Sequence, residues 1–248
     1  MIPVLLLAAV MQGDATPAPA PAAKPFGVGE HLEYSAKLGF LRLGNGSIKV
    51  AAIDTVRGVA SYRFEFTLEG GNALYRLNSR LESWTGVSDL MSRRYHSTSN
   101  ENGRIRERRY EIFPDSGFYR QEGVAEPRPT SVHPLDDAGF LFYLRTVKLE
   151  LGKTYSLDYY FRKEKNPLTI EVEKRERMEL PDGTKIECLV VKPVLGDRGI
   201  FAARQNARVW ITDDGRRIPV QIQTRYPWGV VTLRLERMAL APGFGAGP

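Results

Sequence analysis

The chain has 248 residues, 42% of them hydrophobic and 26% charged, with 35 Lys and Arg against 29 Asp and Glu for a formal net charge of +6. This composition is that of an ordinary soluble globular chain, and it excludes a collagen-like, fully disordered or multi-span membrane protein. The length fits one large domain or two small ones, all-β folds of this size often form a single unit, and 23 glycines with 16 prolines suit a turn-rich chain.

At the N-terminus, Ile2 to Val10 form an apolar run too short to span a bilayer, which takes about 20 residues. It reads as the h-region of a secretory signal over residues 1–15, with cleavage near Gly13 or Ala15, although no basic residue precedes it. No cysteine follows it, so it reads as no lipoprotein anchor. Residues 16–25 are a Pro/Ala tract and form an extended linker. A single β-rich domain is expected over 26–240, with a disordered Gly/Pro/Ala tail over 241–248. A signal followed by such a spacer points to an exported protein in the periplasm of a Gram-negative-type envelope. The one cysteine, Cys188, allows no intrachain disulfide and no multi-cysteine zinc site, and within Lys185–Val191 it reads as a small core residue.

From Glu30 onward the chain alternates. Leu32, Tyr34 and Ala36 interleave with Glu33, Ser35 and Lys37. The same period of two recurs through Ile48–Ala52, Ala60–Leu68 and Tyr75–Leu81, so these are strands with one buried and one wet face. Turns are expected at Arg57-Gly58 and Gly70-Gly71-Asn72. Asn45-Gly46 is either a turn or a kink within one long strand. Later strands are Tyr155–Phe161, Leu168–Glu173, Ile186–Lys192, Val209–Ile211, Ile218–Gln223 and Val230–Arg237, with turns at Pro181-Asp182-Gly183, Asp213-Asp214-Gly215 and Tyr226–Gly229. Pro219 lacks a donor, so its strand is an edge or carries a bulge there.

One segment breaks the period. Asp136 to Val147 reads as a helix capped by Asp136, with Phe140, Leu141, Leu144 and Val147 on one stripe. At about 1.5–3 kcal/mol per buried large side chain, it belongs against the sheet. The expected fold is therefore mainly β: a single large curved antiparallel sheet, an open or half-closed barrel, wrapped around one α-helix. An immunoglobulin-like sandwich explains the helix less well.

Tests for chemistry return little. His31, His96 and His133 have no metal-type spacing, no nucleotide or hydrolase motif occurs, and no catalytic residue, cofactor or metal is expected. Gly27-Val28-Gly29 reads as a turn. Asp213 and Asp214 read as turn residues, and Asp136 and Asp137 as helix caps. The unusual feature is a basic cluster of Arg93, Arg94, Arg104, Arg106, Arg108 and Arg109. On a strand, Arg104, Arg106 and Arg108 share one face, either a solvated surface or a place for an anionic ligand. Phe140, Phe142, Tyr143, Tyr155, Tyr159 and Phe161 are core or the lining of a cavity.

Three motifs, Phe26–Tyr34, Asp136–Arg145 and Val209–Pro219, occur in an order and spacing that resemble the bacterial domain-of-unknown-function 3108 family, from about Phe26 to Arg237. The resemblance implies an exported, mostly antiparallel β protein with no established activity and no catalytic residues to carry over. The layout also looks like the open barrel of LolA-type periplasmic lipoprotein carriers, a likeness of shape that does not fix function.

The expected function is non-enzymatic binding of a hydrophobic or amphipathic envelope ligand, lipid or lipoprotein-like and with an anionic head, in the concave face of the sheet. The expected contacts are Phe140, Tyr143, Leu144, Tyr155 and Tyr159 for the apolar part and Arg104, Arg106 and Arg108 for the headgroup. No nucleic acid is expected, and membrane contact is peripheral at most. The alternatives are an envelope scaffold using a sheet edge or the arginine face, and an enzyme built on Asp136, Asp137, His133 and Arg145.

Overall fold

Alternating side chains become strands wherever one face has something to bury against. In a computed structural model, which describes residues 24–71, 76–197, 201–226 and 229–244, they do so along almost the whole chain. The expected signal and most of the linker lie outside the described residues. The strands are β1 (His31–Leu38), β2 (Leu41–Val56), β3 (Val59–Gly71), β4 (Arg76–Gly86), β5 (Ser92–Glu101), β6 (Arg104–Phe113), β7 (Phe118–Gln121) and β8 (Arg128–Pro129). After the helix α1 (Asp137–Leu144) come β9 (Thr154–Leu157), β10 (Leu168–Glu179), β11 (Lys185–Val194), β12 (Arg208–Thr212), β13 (Pro219–Tyr226) and β14 (Gly229–Ala239).

All belong to one sheet in the order β8-β7-β6-β5-β4-β3-β2-β1-β14-β13-β12-β11-β10-β9. Every neighbouring pair is antiparallel, and β1 and β14 pair at its centre. The segment carrying α1 thus connects the two outer edges. Those edges form no ladder with each other; they are tethered by a parallel bridge between Leu135 and Tyr160. The Phe161 amide donates to the Leu135 carbonyl at 2.9 Å, and the Thr130 hydroxyl donates to the Phe161 carbonyl at 2.7 Å. The sheet is therefore a half-closed barrel around one helix, as the alternation and the apolar helix require.

Several local expectations change in detail. Asn45-Gly46 lies inside β2. Pro219 sits in an interior strand, opposite a register shift at Trp210/Ile211, so the bulge removes the need for its missing donor. The Tyr155–Phe161 strand ends at Leu157, because Tyr160 and Phe161 are both buried and the chain there turns to meet Leu135. The helix ends at Leu144 rather than Val147. The start of the expected tail is packed: Ala241 is buried, and it and Phe244 lie close over Gly27.

The helix caps one end of the barrel. Asp136 accepts from the Ala138 and Gly139 amides at 3.0 and 2.8 Å, the capping geometry expected of it. Every residue of α1 is buried, so no polar stripe survives, as for any helix enclosed on all sides. Phe142 stacks on Phe64 of β3 with centroids 3.7 Å apart, and Phe26 packs edge-on against both. At the opposite end, the connection between β11 and β12 folds inward. Leu195, Phe201 and Ala202 are buried, and the Phe201 ring meets Phe140 at 5.7 Å. That connection closes the half of the barrel formed by β9–β14.

Candidate functional site at the open mouth

The register fixes which side chains face inward. Phe64 and Phe66 are buried on the concave face, and following their row across β4, β5 and β6 is arithmetic on the ladder. Phe66 pairs with Leu81, Leu81 with Ser97 and Ser97 with Arg108. One step nearer the end, Leu68 pairs with Ser79, Ser79 with Ser99 and Ser99 with Arg106. One step further, Gly70 pairs with Leu77, Leu77 with Glu101 and Glu101 with Arg104. Arg104, Arg106 and Arg108 therefore share one face, and it is the concave one, in line with the buried Tyr110 and Ile112.

This stretch lies at the end away from α1 and is not filled. Leu77, Ser79, Leu81, Ser97 and Ser99 are half-buried, and Arg104 and Arg106 are exposed. The adjoining wall is bare for a steric reason. A Cβ on Gly44 would fall 1.9 Å from the Glu69 carbonyl oxygen, and one on Gly70 would fall 2.7 Å from that of Leu43. Only glycine fits this paired position, and Gly46 on the same face adds no side chain either. A depression of about 800 Å³ opens at the rim itself, where Gly70 and Leu77 of the concave face meet Glu69, Asn78 and Asn100 of the convex face; it does not reach Arg104, Arg106 or Arg108.

On the convex face, Arg63 meets Asp54 and Glu65, Arg80 meets Glu65 and Glu82, Arg94 meets Glu111, and Arg109 meets Glu107. On the concave face, Arg106 reaches Glu101 at 3.6 Å, while Arg104 and Arg108 have no carboxylate partner among the described residues. Arg93, counted in the same cluster from sequence, is elsewhere: it is buried and gripped by Asp89 at 2.7 and 3.0 Å.

Behind the mouth the wall turns polar and then acidic. The Tyr95 ring stacks parallel to that of Tyr110, and both phenols are pushed up by burial. Beyond them sits Asp137, whose Oδ2 accepts from the Tyr160 hydroxyl at 3.3 Å, while the buried Oδ1 has no close hydrogen bond among the described residues. Burial, with the charge of Asp136 beside it, pushes the Asp137 carboxyl up to about 7. Burial also raises Asp136 to about 6, against the opposing pull of its donors from Ser83, Ser92 and the helix amides.

The apolar residues expected to contact a ligand have another role. Phe140, Tyr143, Leu144 and Tyr155 are buried in the packed core, and Tyr159 is half-buried against His133. The Tyr155 hydroxyl already donates to the Lys148 carbonyl and accepts from the Glu150 amide, each at 3.1 Å. The concave face around the helix is thus filled, because α1 is apolar on all sides and the sheet closes on it. The room lies at the other end of β2–β6, where Leu68, Leu77, Leu81, Ser97 and Ser99 were missed from sequence. Their signal was the run of polar residues in β5, legible only once the register is known.

The four residues of the enzyme alternative do not converge. Asp136 is engaged as a cap. Arg145, at the far end of the helix, is held by Glu30 and by the carbonyls of Pro25, Arg216 and Arg217. His133 packs on Tyr143 and Tyr159, with its imidazole basicity lowered by burial. Asp213 and Asp214 are turn residues bound to Arg175, Arg217 and Arg216. Cys188 is buried, which pushes its thiol up to about 12.

No curated protein matches the chain. Among solved structures it is similar to a beta-barrel-like protein of domain of unknown function DUF1849 from Brucella abortus, with a TM-score of 0.54 at 9% identity, covering 87% of this chain and 99% of that one. At that identity the likeness speaks for the fold alone. The family described as Protein of unknown function (DUF3108) matches residues 33–236, which spans the barrel from β1 to β14, and the chain belongs to that family.

Proposed function

We propose that the protein is a non-enzymatic envelope protein that binds an amphipathic anionic molecule in the open mouth of the barrel. The apolar part would lie on the glycine-bare wall against Leu68, Leu77 and Leu81, with Ser97 and Ser99 behind it. The anionic head would meet Arg104, Arg106 and Arg108. The observation that carries this reading is the row itself: Arg104, Arg106 and Arg108 stand side by side on the inner face, and Arg104 and Arg108 have no carboxylate partner among the described residues. Guanidinium groups side by side suit a phosphate or carboxylate that takes several donors at once. The apolar run at Ile2–Val10 and the Pro/Ala tract support export, and the likeness of layout to LolA-type carriers supports an acyl-chain ligand by analogy of shape.

The scaffold alternative has less to work with at the sheet edges, since β8 has two residues, β9 has four, and the two are tethered through Leu135 and Tyr160. Native mass spectrometry of the protein purified from cells, followed by titration with a long-chain alkyl phosphate, tests the proposal. A stoichiometric adduct that weakens at least tenfold in Arg104→Gln/Arg106→Gln/Arg108→Gln is the expected result. No uptake by the folded wild-type chain overturns it.

A further inference from the structure

The mouth is surrounded by hairpin tips, and among the described residues exposed apolar side chains stand at or beside two of them. The β1–β2 turn is formed by Gly39 and Phe40, with Gly39 at φ +58°. The positive φ at Gly39 is what a two-residue hairpin turn requires there, and Phe40 is fully exposed, with Leu41 beside it about half exposed. Just past the β5–β6 turn at Asn102 and Gly103, Ile105 of β6 is 67% exposed on the convex side of the rim, opposite Asn100. Because consecutive strands are antiparallel, both tips lie at the end that bears Arg104 and Arg106, away from α1. Arg76, at the start of β4, is exposed at the same end without a carboxylate partner among the described residues.

We infer that this end of the barrel docks on an anionic lipid surface, with Phe40, Leu41 and Ile105 entering the interfacial layer and Arg76, Arg104 and Arg106 meeting the headgroups. Apolar side chains exposed at or beside hairpin turns, flanked by cations, are the combination that binds an anionic interface reversibly. A basic rim without an apolar tip would act by charge alone, and an isolated exposed Phe would need no explanation. Here both occur around one opening. The inference deepens the proposed function: docking would bring the mouth to the layer from which an amphiphile is taken, or to which it is delivered.

The test is co-sedimentation of the full chain with vesicles of phosphatidylcholine alone and of phosphatidylcholine containing phosphatidylglycerol. Wild type should bind the anionic vesicles, and binding should fall as salt is raised. Phe40→Ser/Leu41→Ser should bind them roughly tenfold less, the loss expected for withdrawing a large apolar side chain from the interface. These two residues lie outside the mouth, so uptake of a soluble alkyl phosphate should be unchanged in the variant. Failure of the wild type to bind anionic vesicles, or equal binding by wild type and variant, overturns the inference while leaving the ligand site standing. Vesicle binding without alkyl phosphate uptake would instead overturn the proposed function alone. A photocrosslinker at position 40 that captures one protein and no lipid in cells would replace the membrane by a protein partner and overturn the inference.

Discussion

Arg145 and Glu30 form a buried ion pair across 115 residues of sequence, with Nη2 to Oε2 at 3.0 Å and side chains 1% and 0% exposed. The pair locks the C-terminal end of α1 to the segment that opens β1. Arg145 also donates to the carbonyls of Pro25, Arg216 and Arg217, so its donors are satisfied inside the protein. A buried pair of this kind is weak evidence of net stabilisation, since desolvation offsets the attraction, but removing one partner leaves the other charge stranded. Glu30→Gln or Arg145→Met alone should therefore cost about 3–5 kcal/mol, and the double variant should cost clearly less than the sum of the two. Urea denaturation of the four proteins measures this; additive losses would show that the two groups act independently.

The other end of the helix answers to pH. Burial raises the carboxyls of Asp137 and Asp136 to about 7 and about 6, from an ordinary 3.8. The folded state holds a proton that the unfolded chain has released, so stability falls as pH rises. This contribution is fully present below about pH 4 and is lost progressively as pH climbs through 7. Asp137→Asn cannot ionise, so it should be more stable than wild type at pH 8 and should lose that advantage progressively as pH falls toward 4. Parallel stability curves for the two proteins across this range would show that Asp137 does not titrate within it.

Gly139 is a test of packing whose sign runs against helix propensity. In an ordinary helix, replacing Gly by Ala stabilises by about 1 kcal/mol. Here the added Cβ would sit 2.9 Å from the Thr85 hydroxyl, 3.0 Å from that of Ser92 and 3.2 Å from that of Ser83. These hydroxyls have little freedom to move aside. Ser83 bonds Thr85 at 2.8 Å and Asp136 at 2.6 Å, and Ser92 accepts from the Asp136 amide at 3.0 Å. Gly139→Ala should destabilise by about 1–3 kcal/mol, read as a lower urea midpoint with unchanged slope.

Much of this architecture was legible in the sequence because burial imposes a period. β1, β3 and the inner part of β2 alternate apolar and polar residues, and α1 interrupts them with an apolar block. β5 was not legible. Its inward side chains include Ser97, Ser99 and Glu101, polar because they face the open mouth rather than the core, so alternation vanishes where the barrel is unfilled. The arginines of β6 could be placed on one face from spacing alone, but which face requires the pairing of Tyr95 with Tyr110 and of Ser97 with Arg108. The aromatic residues of α1 were read correctly as needing shelter; that shelter leaves no groove beside them, because the helix has no polar side to turn outward. The Arg145–Glu30 pair has no local signature, since its partners meet only after the whole barrel has formed.

If the mouth is the binding site, closing it should abolish binding without harming the fold. Ser99 lies on the concave face between Ser79 and Arg106, half-buried, with the bare Gly46 and Gly70 positions across β3 and β4. A large side chain there would occupy the space assigned to the ligand's apolar part and would cover Leu77 and Leu81. Ser99→Trp should therefore keep the wild-type urea midpoint or raise it by a fraction of a kcal/mol, since new apolar contact is gained at about 25 cal/mol per Å². Alkyl phosphate affinity should fall at least tenfold in the same protein, measured by calorimetry. The outward neighbour supplies the control: Thr98 lies on the convex face opposite Glu107 and is exposed, and Thr98→Trp should leave affinity unchanged. Equal affinity in the Ser99 variant and the control would move the ligand away from this wall of the barrel.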